Sequence, residues 1–270
     1  MNPISDTAFL TCGARAADAA ATKPICGDSY AHRFLDERGQ QVFEKFKSEK
    51  GPLASIVARH RLIDDLLRAR IADDKATNVV IIGAGFDTRA FRLEGGNWAE
   101  IDEPQVVDLK NRVLPAERAA NPLRRIAIDF AGEELANKLP TVAPGSPVVV
   151  VMEGIFIYLD EQQIDNTLRS LQQAYPGHTL ICDLNSRRFM ERHGKSLKQQ
   201  IETLGATLKY LSDEPSAIFL RHGYRPTDQF SIIDKTLEYM NARIGRFLVK
   251  LCMPTLVDGL MLFVFAAPRK

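Results

Sequence analysis

Only four cysteines occur in 270 residues, at Cys12, Cys26, Cys182 and Cys252, and no two form a Cys-x-x-Cys pair. That scarcity excludes a disulfide framework, a zinc ribbon and a thioredoxin-type centre; it fits a reducing compartment and gives no reason to expect a metal. A surplus of one charge is also missing. With 35 Lys+Arg against 34 Asp+Glu the formal charge is +1, which argues against a nonspecific nucleic-acid binder. No apolar run reaches the roughly 20 residues that a membrane span requires. The stretch at 147–159 carries Glu153, and the apolar C-terminal segment is broken by Pro254 and Asp258. Near the N-terminus Asp6, Arg15 and Asp18 interrupt the apolar patch, against a signal peptide. What is present is 45% hydrophobic and 26% charged residues, enough to bury a core without staples. A soluble, cytoplasmic protein is expected, with no membrane or nucleic-acid partner.

Two textures meet near residue 76. Residues 1–75 read as helical, and within them Leu53, Ile56, Ile63 and Leu67 fall on one stripe of a helix from Leu53 to Ile71. Arg61, Asp64, Asp65 and Arg68 are expected on the opposite, charged face. Arg59 and His60 fall within the apolar stripe. An arginine pointed inward needs an anion, which is either an internal carboxylate or that of a ligand. Residues 76–270 alternate short apolar runs with helical patterns. NVVII (78–82), WAEI (98–101), RIAI (125–128), PVVVVM (147–152) and TLICDL (179–184) predict five strands, several of them apolar throughout as expected of strands covered on both faces. Asp160 and Gln163 open a helix to Ala174 with a capping-box pattern, and Pro176-Gly177 closes it. Strand, helix, strand at this spacing implies a mostly parallel α/β sheet. A helix is expected over 187–204 and a short one over 215–222, with YRPTDQFS and MLFVFAA as closing strands.

The sharpest local signal is VVIIGAGFDTR at 79–89. A buried strand ends in Gly83-Ala84-Gly85, a turn that lets a ligand approach the backbone. Asp102 stands nineteen residues after Gly83, at the end of the second strand, where an acid accepts from ribose hydroxyls in nucleotide-binding folds. The dinucleotide fingerprint wants a third glycine where this chain has Thr88. Asp87 at the loop mouth would repel a pyrophosphate but not an amine or a sulfonium. The loop thus points to an adenosyl ligand without phosphates, S-adenosylmethionine. Asp129 follows the third strand and is placed to accept from an adenine amino group, with Phe130 against the ring. Glu153 follows the fourth strand. Each such acid alone has an ordinary reading as a solvated or capping carboxylate; four at successive strand ends suit a ligand with an ammonium, a sulfonium, hydroxyls and an amine.

These motifs resemble the leucine carboxyl methyltransferase family, which includes bacterial polyketide O-methyltransferases. TAFLTCGARAADAA (7–20) is similar to the family's first helix, and GDSYAHRFL (27–35) to its Asp-Pro-x-Ala segment, with Ser29 in place of proline. ARHRLIDDLL (58–67), VVIIGAGFDTRAFRL, EIDEPQVVDLK and MEGIFIYL (152–159) resemble, in order, its arginine-bearing helix, glycine loop, Glu-x-Asp-x-Pro motif and Glu-Gly…Tyr-Leu element. The resemblance implies a Rossmann-like, seven-stranded class I methyltransferase sheet under an N-terminal helical cap, the two forming one catalytic unit. It also implies that Arg59 pairs with the methionine carboxylate, Gly83 and Gly85 line the methionine moiety, Asp102 holds the ribose, Asp129 the adenine, and Glu153 the methionine end.

The reaction expected is O-methylation of a carboxyl or phenolic group on a small molecule. A carboxylate acceptor is already ionised at neutral pH, whereas a phenol, with an ordinary pKa near 10, benefits from a base. His222, in FLRHGYRP, and Tyr158 are the candidates near the acceptor; Arg187 and Arg188 are candidates for holding an acidic one, or else begin a solvated helix. A protein C-terminal carboxyl acceptor is the alternative. A nicotinamide-dependent oxidoreductase and a catalytically silent cofactor-binding protein are the readings from other classes. Neither the acceptor nor the oligomeric state is legible in the chain.

Overall fold

A computed structural model describes residues 3–203 and 205–269. Three helices, α1 (Pro3–Ala19), α2 (Glu37–Glu44) and α3 (Lys50–Asp73), precede the first strand. Then come β1 (Asn78–Ile82), α4 (Arg89–Arg92), β2 (Asn97–Asp102), α5 (Pro104–Val113), β3 (Leu123–Ala127) and β4 (Val148–Met152). α6 (Glu161–Ala174) leads to β5 (Thr179–Asn185), followed by α7 (Arg187–Arg192), α8 (Lys195–Thr203) and α9 (Ala217–Arg221). The remainder is β6 (Arg225–Ser231), α10 (Ile232–Tyr239), α11 (Arg243–Cys252), α12 (Pro254–Val257) and β7 (Leu260–Ala266).

The seven strands form one sheet in the order β3-β2-β1-β4-β5-β7-β6. β1 to β5 pair in parallel, and β7 runs antiparallel between β5 and β6. The order reverses between β1 and β4, and ligands of parallel sheets bind at the carboxyl ends of the strands beside such a reversal. Side chains alternate across the sheet as the strand period requires. Val79 and Ile81 enter a core with Phe9, Phe34, Ile63 and Leu67, while Val80 and Ile82 enter a second core with Ile164, Leu168 and Leu171. Both faces of β1 are therefore covered, which is why NVVII carries no polar alternation. α1 and α3 share the first core with the sheet. The edge strand β6 carries Pro226, where a missing N–H costs no ladder bond, with a register shift before Asp228.

The predicted α/β class and the five predicted strands are observed, with β3 at one edge of the sheet and only partly buried. The capping box of α6 forms as expected: Gln163 N–H donates to Asp160 Oδ1, and Asp160 N–H donates to Gln163 Oε1. Two expectations need correction. The single helix expected over 187–204 is two, interrupted at Gly194; Leu204 lies outside the described residues. Asp64, expected on the exposed face of α3, is fully buried. α3 packs over more of its circumference than one stripe, and α4 brings two arginines to the side that looked solvated.

Beneath the sheet edge lies a buried charge set. Glu100 on β2 pairs with Lys110 Nζ at 2.7 Å and Arg125 Nε at 2.9 Å, and all three side chains are essentially fully buried. Removing the anion strands two buried cations, which typically costs about 3–5 kcal/mol. Glu100→Ala is expected to lose that much in urea unfolding followed by the fluorescence of Trp98, the sole tryptophan; a loss below about 1 kcal/mol would show that the set is solvated in solution.

Candidate active site

The glycine turn closes on the sheet it leaves. Gly83 and Gly85 both have positive φ, at +65° and +47°, a region costly for other residues. A Cβ on Gly83 would stand 2.0 Å from Ile155 Cδ1, so glycine is required there twice over. Gly85 N–H donates to Asp102 Oδ2 (2.5 Å), and Glu103 N–H donates to Asp102 Oδ1 (2.7 Å). Asp102 is buried, and burial pushes its carboxyl up to about 6 against the opposing pull of those two amides. The turn and Asp102 open into a cavity of about 1240 Å³, above the roughly 300–1,000 Å³ of ordinary small-molecule pockets. It has room for more than one ligand.

One wall of the cavity is a buried ionic cluster joining α1, α3, the glycine loop, β4 and β5. Arg89, fully buried, donates to Asp64 Oδ1 (2.6 Å), to Asp87 Oδ2 and to Glu153 Oε2 (3.0 Å). Arg92 donates to Asp64 Oδ2 at 2.7 Å. Arg59 donates to Glu153 Oε1 (3.0 Å) and Asp183 Oδ2 (2.7 Å). Arg15 donates to the Phe86 carbonyl (2.8 Å) and lies 3.4 Å from Asp28. Burial opposes ionisation of every carboxyl, yet the arginines prevail: Asp28, Asp64, Asp87 and Glu153 are all held below the ordinary carboxylate range. His60 is kept neutral, first by burial and then by the Arg89 charge. Of this cluster, Arg15 and Arg59 line the cavity with Asp87, Glu153 and Asp183, so acids outnumber arginines and leave a net negative wall.

Of the residues singled out in sequence, Arg59, Gly83, Gly85, Asp87, Asp102, Phe130, Glu153 and Tyr158 all line this one cavity. Asp129 is exposed and accepts from Ala131 N–H at 2.9 Å, turning its loop and leaving Phe130 to face the cavity. Tyr158 stays a neutral phenol, its pKa raised by burial. The other candidates lie elsewhere. His222 ends α9 and contacts Asp165 Oδ1 at 2.7 Å, away from the cavity. Arg187 donates to the Leu211 carbonyl, and Arg188 reaches toward Asp213 with a largely exposed side chain. His193 lines the cavity instead. Sequence reading also missed Arg15, Asp28, Arg89 and Asp183. Asp183 carried a usable signal, since TLICDL puts an acid near the end of β5 as the other strands do. Arg15, Asp28 and Arg89 had none, because no local pattern tells which buried arginine meets which acid.

Asp87 does not act as a free charge at the loop mouth, since Arg89 neutralises it. Pyrophosphate is disfavoured for a different reason: the loop leads only into α4, four residues long, which offers little of the helix dipole that phosphates use. His60, Asp87 and Glu153 are close enough together to hold a metal ion, but the Arg89 guanidinium lies against all three. An adenosyl ligand with a sulfonium suits this donor set better than either. Asp102 offers carboxylate oxygens beside the turn, Phe130 an aromatic face, and the net negative wall a place for positive charge.

Comparison with known proteins agrees with this chemistry. Residues 8–172, more than half of the chain, match the family described as leucine carboxyl methyltransferase. A protein from Streptomyces avermitilis described as an S-adenosyl-L-methionine-dependent methyltransferase is 32% identical over 68% of this chain and 67% of its own length. The tetracenomycin polyketide synthesis O-methyltransferase TcmP from Streptomyces glaucescens is 27% identical over 86% of this chain and 84% of its own. Among solved structures, a DUF574 family protein from Streptomyces avermitilis aligns with a TM-score of 0.61 at 12% identity, covering 88% of this chain and 95% of that one. An O-methyltransferase family protein from Burkholderia thailandensis aligns at 0.52 and 13% identity, over 88% of this chain and 62% of that one. With the family match spanning α1 to α6 and the glycine turn, Asp102 and Glu153 gathered on one cavity, this chain belongs to the leucine carboxyl methyltransferase family of S-adenosylmethionine-dependent methyltransferases.

Proposed function

We propose that the protein is an O-methyltransferase acting on a carboxyl or phenolic hydroxyl of an apolar small molecule. The observation that carries this reading is the apolar part of the cavity lining. Besides the glycine turn and Glu153, Ile157, Phe189, Met190, Ile232, Leu237 and Leu256 line it, and these form the acceptor chamber of the proposal. The similarity to TcmP, named as a polyketide O-methyltransferase, supports the same acceptor class.

Bound at this site, S-adenosylmethionine supplies a methyl group activated by the positive charge on sulfur. The protein's part is alignment and exclusion of water. Asp102 accepts from the ribose hydroxyls, and Phe130 lies against the adenine. Asp129 remains a candidate for the adenine amine. Arg59, held by Glu153 and Asp183, offers its guanidinium to the methionine carboxylate, while Glu153 takes the ammonium end. Gly154, with φ +68°, brings its backbone against Arg59, and its N–H donates to Asp183 Oδ1 at 2.6 Å. Tyr158, an uncharged phenol on the cavity wall, is suited to orient the acceptor oxygen and not to remove its proton. His193 takes the position expected of His222, and acts as the base if the acceptor is a phenol.

Three outcomes test this. S-adenosylmethionine or its demethylated product at 100 times its dissociation constant is expected to stabilise the fold by about 2.7 kcal/mol in thermal melts; stabilisation by NAD(P) instead would reverse the cofactor assignment. Asp102 accepts from ribose as the ionised carboxylate, and its raised pKa of about 6 keeps it protonated below that pH. Affinity for the demethylated cofactor is therefore expected to be level above pH 7 and to fall toward tenfold per unit below about pH 6. In calorimetric titrations Asp102→Asn should bind at least about tenfold more weakly and lose that dependence; unchanged affinity in the variant shows the ribose is held elsewhere. Third, His193→Ala is expected to leave turnover of carboxyl acceptors intact and to slow phenolic acceptors by about 10²-fold or more. Equal loss on both would remove His193 from the role of base.

A further inference from the structure

The described residues expose few large apolar side chains, and most of those they do expose sit together. On α11, Ile244, Phe247 and Leu251 are 79%, 67% and 69% exposed, and Leu248 is half exposed. At helical spacing these four fall on one face. The opposite side, through Val249, lines the cavity, as do Met240 just before the helix and Leu256 just after it. α11 is thus the rim of the acceptor chamber, with its apolar face turned outward.

Basic residues outnumber acids on the elements around this face, although Asp234 and Glu238 of α10 pair with Arg246. α11 contains Arg243, Arg246 and Lys250 and no acid. Arg246 donates twice to Asp234, at 2.6 and 2.7 Å, and Lys250 lies 2.9 Å from the same carboxylate, which fixes how the helix sits on α10. Arg243 is exposed and makes no ion pair among the described residues. α7 borders the same mouth: His193 at its end lies 3.5 Å from Thr255 on α12. It brings exposed Arg187, Arg188 and Arg192 beside one acid of its own, Glu191, with Arg188 paired to Asp213. Among the described residues, the largest group of exposed apolar side chains thus has Arg187, Arg192 and Arg243 near it, and no ion pair of these three is seen among the described residues. That pairing is the signature of a helix lying in the headgroup region of an anionic bilayer. A second copy of the chain fits less well, because a symmetric contact would set the same basic flank against itself.

We propose that α11 lies flat on an anionic lipid surface and turns the mouth of the chamber toward it, so that the acceptor is a lipophilic molecule drawn from the bilayer. The acceptor half of this statement rests on the methyltransferase reading of the cavity; the surface contact does not. No span is involved, and among the described residues no helix is long and apolar enough to cross a membrane.

The test is cosedimentation of the full chain with phosphatidylcholine vesicles, with and without phosphatidylglycerol, beside calorimetric titration of the demethylated cofactor. Binding is expected to the anionic vesicles alone and to weaken as salt is raised. Phe247→Glu with Leu251→Glu is expected to lower the vesicle partition coefficient at least about tenfold with cofactor affinity unchanged; Arg243→Glu should lower it by less. Absence of vesicle binding, or equal binding to neutral vesicles, overturns the proposal. So does a dimer in sedimentation velocity that the double variant dissociates, because the face would then be covered by a second copy. Intact cofactor binding without vesicle binding sinks this inference alone, whereas loss of cofactor binding in the unaltered chain sinks the reading of the cavity.

Discussion

A single guanidinium organises this molecule. Arg89, immediately after the glycine loop, is fully buried and meets carboxylates from three places: Asp64 on α3, Asp87 in the loop and Glu153 after β4. Burying such a charge without partners would cost many kcal/mol, and losing one partner of a buried pair typically costs about 3–5 kcal/mol. The arginine therefore commits α3, the loop and the end of β4 to one relative arrangement. The helices before β1 are joined to the sheet by shared apolar packing, which has no direction, and by this cluster, which does.

The consequence for chemistry follows from geometry. Glu153 uses one oxygen for Arg89 and the other for Arg59, and Arg59 in turn reaches Asp183 on β5. The groups facing the cavity are thus not free rotors awaiting a ligand. Their orientation is set by contacts behind them, the kind of support that keeps a binding site in its productive geometry. Where the cluster meets the cavity its acids outnumber its arginines, with His60 neutral, and Asp102 stands apart from it, raised toward neutrality by burial. A site of this kind attracts a cation and hydroxyls and has little to offer a phosphate. The apolar chamber beside it can exclude water from a reacting pair.

Much of this fold was legible along the chain. NVVII, PVVVVM and TLICDL show strands because a strand covered on both faces must be apolar throughout, and Asp160 with Gln163 marks a helix start because the capping chemistry is local. Gly83, Gly85, Asp102 and Glu153 could be placed on one cavity because strand ends in a parallel sheet converge. Other features were not legible. Asp64 looked solvated because helical periodicity records spacing and not which neighbours wrap the helix. His222 and His193 could not be ranked, since nothing local says which of two loops turns toward the chamber. α10 to α12 went unread: their amphipathic face is partly unpartnered within the chain, so the usual link between apolar spacing and burial does not hold there.

By itself, then, the sequence determined the elements and the kind of ligand, because backbone freedom at glycine, strand burial and helix capping are set by residues a few positions apart. Only the tertiary structure decided the pairing of Arg89 with Asp64, Asp87 and Glu153, the neutralisation of Asp87, and the turning of His193 toward the cavity. The pairing of Arg89 joins charges 25 positions apart for Asp64 and 64 for Glu153. Electrostatic partners are chosen by distance in space, and a sequence carries distance only along itself.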